Sequence, residues 1–121
     1  MAYWYLGSPY SKYPHGRAMA CVEACRAAAL LIRSGIPVFS PIAHNHAVAE
    51  YDQIDPDDHG IWMPLDRHMS ACAGGLIVLE LEQWWTSFGL TTELDEFRQR
   101  NMPVVYMTPG IVPEVLKKEG R

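Results

Sequence analysis

The sequence has few cysteines and no long apolar run. Three cysteines, an odd number, argue against the disulfide framework of a small secreted domain and predict three buried, reduced thiols. No stretch approaches the roughly 18 consecutive apolar residues of a membrane span, and the N-terminus lacks the basic and apolar regions of a signal peptide. We therefore expect a cytoplasmic protein that has no membrane partner.

Positive charge is also scarce. Ten Lys and Arg residues stand against fourteen Asp and Glu residues, which gives a net charge of −4, and no basic cluster exceeds the pair Lys117-Lys118. A protein that follows a nucleic-acid backbone carries clustered basic side chains, so this balance argues against a nucleic-acid polymer as partner but leaves a single nucleotide possible. The hydrophobic share of 49% over 121 residues predicts one globular domain that spans 1–121.

Four β-rich runs alternate with helical patterns along the chain. The runs are 2–6, 37–40, 76–81 and 103–107, and the helical patterns are 16–34, 61–72, 90–100 and 112–118. This alternation predicts an α/β fold, a Rossmann-like or flavodoxin-like three-layer sandwich with four or five parallel strands in the order 2-1-3-4. The polar stretch 41–60 is predicted to be a loop that closes over the site as a lid.

Two carboxylates fall on helix faces that otherwise pack into the core. At 100° per residue Leu90, Leu94 and Phe97 share one face of the third helix, and Glu93 lies in the same stripe. Asp66 has an equivalent position among the apolar residues of the second helix. Burial disfavours a charged carboxylate, and ligands bind beside the switch point between strands 1 and 3 in such a sheet. The two acids therefore indicate glycosyl chemistry, in which one acts as nucleophile or base and the other as acid.

Other candidate residues have a structural alternative. Taken singly, each acid is equally explained by a pairing with an arginine or by a loop cap. Tyr5 ends the first strand, where its hydroxyl either bonds a carboxylate at the floor of the cleft or simply packs. Ser87 and Gly89 precede the third helix and suit an anion, although Ser87 is equally compatible with a plain N-cap. Trp62 either stacks on a base or belongs to the core.

Histidines suggest a further alternative of another class. His44, His46 and Asp66 are the residues from which a metal-dependent phosphoesterase site can be assembled. Their spacing is not that of zinc ligands, and two histidines in a polar segment more often face solvent or substrate. We therefore predict no metal and no cofactor, with His46 in contact with the substrate.

Three motifs resemble the nucleoside 2-deoxyribosyltransferase-like superfamily, and their order and spacing match over most of the chain. They are Tyr5-Leu6-Gly7-Ser8-Pro9-Tyr10, Val38-Phe39-Ser40-Pro41, and Trp85-Thr86-Ser87-Phe88-Gly89 followed by Glu93. Within that superfamily the chain looks closest to a small branch of bacterial and phage proteins, and it is similar to the deoxynucleoside 5′-monophosphate N-glycosidases.

The resemblance implies roles for these residues. Glu93 would be the nucleophile, Asp66 the acid/base, and Tyr5 the residue that orients the nucleophile. The base and sugar would lie against Gly7, Ser8, Pro9, Tyr10, Ser40 and Pro41, and a 5′-phosphate against Ser87 and Gly89. The implied activity is cleavage or transfer of the N-glycosidic bond of a deoxynucleoside or its 5′-monophosphate, with hydrolysis slightly favoured, in a homodimer or homotetramer.

The chain also departs from the superfamily pattern in one place. Many relatives have an acid just before the third strand, whereas this sequence has Ala73-Gly74-Gly75. This departure motivates an alternative function, a non-catalytic nucleotide-binding or sensing module.

Overall fold

The computed structural model describes residues 2–119 as an α/β protein with a four-stranded sheet. Its elements are β1 (Trp4–Gly7), α1 (Arg17–Arg33), β2 (Val38–Phe39), α2 (Pro41–Asp52), α3 (His59–Ala71), β3 (Gly75–Leu79), α4 (Phe88–Gln99), β4 (Val104–Met107) and α5 (Glu114–Glu119). A single 3-10 turn, Trp84–Thr86, precedes α4. All neighbouring strands are parallel and their order is β2-β1-β3-β4, which confirms the predicted topology.

The sheet separates two apolar layers. Alternate residues of β1 point to opposite faces, so Trp4 and Leu6 join the side covered by α1 and α5, and Tyr5 joins the side covered by α4. β3 is buried along its whole length, as expected for a strand with helices on both faces. The layered α/β arrangement therefore follows from near-continuous apolar strands and amphipathic helices.

α2 replaces most of the predicted lid. The segment 41–60 was expected to be a loop because of its polar residues, and that expectation is wrong for Pro41–Asp52. Ser40 accepts a hydrogen bond from the backbone N–H of Ala43 at 3.1 Å, and Pro41 occupies the first helical position. These are a helix-starting cap and a residue whose fixed φ suits the first turn, so the Ser-Pro pair begins a helix.

The cysteines are more accessible than predicted. α1 turns a stripe of small residues, Ala20, Ala24 and Ala27, toward the core. Cys25 lies off that stripe and is exposed, as is Cys72, which follows α3. The prediction of three buried thiols is therefore wrong, although all three are free. Within the part of the chain described here, no helix combines the length and apolar content that crossing a bilayer requires.

Substitution of Gly75 with alanine is expected to destabilise the fold by about 2 kcal/mol, because the start of β3 is overfilled by any added atom. A Cβ at Gly75 would lie 2.5 Å from the Trp4 ring and 3.0 Å from the Pro103 carbonyl oxygen. Urea unfolding measures the difference. Gly60→Ala is the matched control, because its Cβ would meet nothing closer than Asp58 Oδ1 at 3.4 Å, and an unchanged Gly75→Ala midpoint would contradict the argument.

Candidate active site

A cavity of about 450 Å³ opens where the loop after β1, α2, α3 and the start of α4 converge. It lies beside the carboxyl ends of the two central strands, where the sheet order predicts a ligand site. Its volume is in the range of small-molecule sites. The predicted site residues that line it are Ser8, Tyr10, Pro41, His46, Trp62, Asp66, Ser87, Gly89 and Glu93.

The other predicted site residues lie behind the cavity wall. Ser40 is buried as the cap of α2, and Pro9 is fully buried. Gly7 lies beneath the acid: a Cβ there would come within 3.3 Å of Glu93 Oε1 and 2.6 Å of a Leu90 methyl carbon. Glycine at this position is therefore what lets α4 and its carboxylate approach the end of β1.

Tyr5 positions the carboxylate of Glu93 through a hydrogen bond. Its hydroxyl donates to Glu93 Oε2 at 2.8 Å, across 88 positions of sequence, and this is the hydrogen bond predicted from the position of Tyr5. The Tyr5 ring is wholly buried, with the rings of Phe39 and Phe97 about it at centroid distances of 6.2 and 6.0 Å. Burial and the neighbouring Glu93 raise the pKa of Tyr5, so the phenol remains a donor.

Glu93 titrates far from the usual range of a glutamate. Burial raises its pKa to about 8, the hydrogen bond from Tyr5 opposes that rise, and the negative charges of Asp66 and Glu96 add to it. The Glu93 carboxylate therefore lies in an environment that is partly shielded from water. Its ionised form depends on neighbouring hydrogen-bond donors for stabilisation.

Asp66 faces the same cavity from α3 and receives a donor from α2. Asn45 Nδ2 donates to Asp66 Oδ1 at 2.8 Å. Burial raises the pKa of Asp66, while the hydrogen bond from Asn45 and the nearby His44 lower it. Among the described residues neither Asp66 nor Glu93 forms an ion pair, so the alternative of a pairing with arginine does not hold.

The two acids form an electrostatically linked pair. The charge of Asp66 contributes to the raised pKa of Glu93, and each carboxylate has one hydrogen-bond donor of its own. A pKa of about 8 means that Glu93 is largely protonated at neutral pH in the free protein.

Asn45 was missed by the sequence reasoning, although a signal for it exists. Once Ser40-Pro41 is taken as a helix start, winding at 100° per residue places Ile42, Asn45 and His46 near the buried Ala49. All three line the cavity. Lys12 and Arg67 also line it and were not predicted as site residues.

Ser87 serves as the N-cap of α4. Its hydroxyl accepts from the backbone N–H of Leu90 at 3.2 Å, as the capping alternative predicted. Ser87 and Gly89 still line the cavity, so the start of α4 lies open to it.

No metal centre can be assembled from the described residues. Within residues 2–119, no three His, Cys, Asp or Glu side chains are grouped closely enough to hold an ion. His44 and His46 point to different partners instead: His44 Nδ1 lies 2.8 Å from Asn45 Oδ1, and His46 Nδ1 lies 2.6 Å from Tyr10 Oη. The geometry therefore gives no support to the metal-dependent phosphoesterase.

Replacement of Glu93 with glutamine is expected to stabilise the protein at alkaline pH. Burial raises the pKa of Glu93 to about 8, against an ordinary value of 4.5. Between these values the native state holds a proton that the unfolded state releases, so the free energy of unfolding of the parent falls as pH rises. Glutamine imitates the protonated acid at every pH. We expect the variant to exceed the parent by about 5 kcal/mol at about pH 9 and to match it below about pH 4.

Urea unfolding across that pH range measures the effect. Asp95→Asn, an exposed substitution on the same helix, is the matched control and should change the pH profile little. A constant difference between parent and Glu93→Gln at all pH values would contradict a raised pKa at this position.

The fold and the cavity define a parallel α/β protein with two linked carboxylates beside the centre of its sheet. The chain belongs to the family described as a domain of unknown function, DUF1937, whose sequence model matches residues 2–109. That match includes all four strands and every residue that lines the cavity. No match was found among curated proteins.

Proposed function

We propose that the protein cleaves or transfers the N-glycosidic bond of a deoxynucleoside, or of its 5′-monophosphate, through a covalent intermediate on Glu93. The observation that carries the proposal is the arrangement of Glu93, held by Tyr5 and electrostatically linked to Asp66 in one cavity. The motif resemblance to the nucleoside 2-deoxyribosyltransferase-like superfamily supplies the substrate class. On the same resemblance we propose a homodimer or homotetramer, for which Phe88, 77% exposed at the cavity, is available as a contact.

The first half of the proposed reaction releases the base. A Glu93 oxygen forms a bond to the anomeric carbon while the bond from that carbon to the base nitrogen breaks. Asp66 gives its proton to the leaving base and becomes a carboxylate. Tyr5 keeps its hydrogen bond to the second oxygen of Glu93 and so fixes the direction of the attacking oxygen.

The second half returns both acids to their starting state. Asp66 takes a proton from water, and the water oxygen replaces Glu93 at the anomeric carbon. In the transfer reaction a second base takes the place of water. The scheme uses only these side chains and no cofactor.

The scheme needs the ionised form of Glu93, which its raised pKa disfavours in the free protein. The reaction needs one proton on the pair, located on Asp66, and an ionised Glu93. The hydrogen bond from Tyr5 favours the ionised form of Glu93. A developing positive charge on the sugar favours it further as the substrate approaches the transition state.

The raised pKa of Glu93 also favours a second candidate function, a non-catalytic nucleotide-binding or sensing module. A free protein in which Glu93 keeps its proton binds a nucleotide without attacking it, as a sensing module does. The sequence Ala73-Gly74-Gly75 also lacks the acid that the superfamily resemblance implies just before the third strand, which is a second reason for this candidate.

Chromatography for free base distinguishes the two functions. The protein is incubated with the common deoxynucleosides and their 5′-monophosphates, and the same ligands are titrated by calorimetry. Base release that depends on enzyme concentration supports the glycosidase or transferase. Tight binding without base release supports the sensing module and contradicts the catalytic proposal.

A further inference from the structure

A chain of hydrogen-bonding groups lies on the side of the cavity formed by α2 and the loop after β1. Tyr10 Oη lies 2.6 Å from His46 Nδ1, and His46 Nε2 lies 3.1 Å from Glu50 Oε2. Tyr10 and His46 line the cavity, whereas Glu50 is at the solvent end of the chain. The reaction proposed for Glu93 and Asp66 assigns no role to these three hydrogen-bonded residues.

The direction of these hydrogen bonds follows from the chemistry of the groups. The Glu50 carboxylate only accepts, so His46 Nε2 carries the hydrogen, and in a neutral imidazole Nδ1 is then an acceptor. Burial raises the pKa of Tyr10, so its phenol is protonated at neutral pH and donates to Nδ1. With its one hydrogen used, Tyr10 Oη can only accept a hydrogen bond from a ligand.

The acceptor is held in place by its surroundings. The Arg17 guanidinium lies 5.8 Å from the centre of the Tyr10 ring and forms an ion pair with Asp57, another cavity residue. The His46 ring meets the Tyr10 ring edge to face at 5.7 Å. The phenol therefore cannot turn away from the cavity without breaking several contacts.

Ser8 supplies a second group for a ligand. Ser8 is buried, with 6% of the residue exposed, and it lines the cavity. Its hydroxyl has no hydrogen-bond partner among the described residues. A buried hydroxyl without a partner is costly, and a ligand in the cavity would relieve that cost. Ser8 lies two positions before Tyr10, directly after β1.

We propose that Tyr10 selects a base that carries an exocyclic amino group, as adenine and cytosine do, over the corresponding oxo base, and that Ser8 anchors the same base. The inference rests on the proposed function for the class of ligand. An amino group can donate a hydrogen bond to Tyr10 Oη. An oxo oxygen has no hydrogen to donate, so its lone pairs would face those of Tyr10 Oη and the two oxygens would repel each other. The Ser8 hydroxyl can donate or accept, so it bonds the adjacent ring nitrogen of either base.

Binding of free bases tests the selection without any turnover. Adenine against hypoxanthine, and cytosine against uracil, are titrated into the protein and followed by NMR. We expect the amino base to bind about 10–100-fold more tightly in at least one pair, because the oxo base leaves the half-buried acceptor Tyr10 Oη without a donor. Tyr10→Phe keeps the ring and should reduce this ratio to within about threefold of unity.

Two further variants separate the direction of the hydrogen bond from general damage. His46→Leu removes the acceptor for the Tyr10 hydroxyl, which is then free to donate, so the amino preference should disappear or reverse while Tyr10 remains. Tyr51→Phe is the matched control, because Tyr51 is 90% exposed on α2 and lies outside the cavity lining, and the ratio should not change.

The outcomes for this inference and for the proposed function are distinct. Equal binding of amino and oxo bases by the parent, no binding of any of the four bases, or a preference that survives Tyr10→Phe overturns the inference. Base release from deoxynucleosides without amino selectivity overturns it as well and leaves the proposed function intact. A Tyr10-dependent amino preference without base release supports the inference and removes the proposed function.

Discussion

Glu93→Gln should reduce the rate of base release by at least about 10⁴-fold, equivalent to about 5.5 kcal/mol of transition-state stabilisation. Glutamine fills the same volume and can still accept the hydrogen bond from Tyr5 at its amide oxygen. It cannot form the glycosyl ester through a carboxylate oxygen, so the covalent route is closed. Single-turnover assays with chromatographic detection of the free base measure the loss.

The loss in Glu93→Gln is expected without unfolding. Because glutamine removes the burial penalty on the charged acid, the variant should be at least as stable as the parent under the assay conditions. Asp95→Asn, on the exposed side of α4, serves as the control and should retain the rate within about twofold. A rate for Glu93→Gln within about tenfold of the parent would rule out Glu93 as the nucleophile.

Substitutions of Glu93 and Asp66 are not expected to affect the rate of base release independently. A nucleophile and an acid that act in one step form a unit, and removal of either leaves little for the other to do. The double variant Glu93→Gln, Asp66→Asn should therefore be scarcely slower than Glu93→Gln alone. Additive losses would indicate that the two carboxylates act in separate processes.

The fold was predictable because its signals are local. β3 is an apolar run of five residues that is buried along its length, which is typical of a central parallel strand. The order β2-β1-β3-β4 follows from short, right-handed connections once four strands are recognised. Helical phase alone placed Glu93 and Asp66 inward, since it depends only on nearby residues.

The side of the cavity that α2 forms, which includes Asn45 and His46, was less predictable than the fold. This helix buries only Pro41 and Ala49, so its apolar pattern is too weak to be distinguished from a polar loop. Recognition of the Ser40 cap would have shown the helix, but not its partner across the cavity. The hydrogen bond from Asn45 to Asp66 spans 21 positions and exists only because α2 and α3 face each other there.

Asp66→Asn should slow the release of an ordinary base by about 10²–10⁴-fold, the usual contribution of a positioned acid. Asparagine keeps the shape and can accept the hydrogen bond from Asn45, but it has no proton to give. A deoxynucleoside of N7-methylguanine needs no such proton, because its base already carries a positive charge and leaves as a neutral molecule.

The comparison of the two substrates makes Asp66→Asn a test of mechanism. We expect the variant to lose less than about tenfold on the methylated substrate, since only the acid's proton has been removed. Glu93→Gln should fail on both substrates, because both need the nucleophile. Equal losses on both substrates for Asp66→Asn would show that Asp66 positions the sugar or the nucleophile rather than protonating the base. The proton would then have to reach the base from another group on the cavity wall.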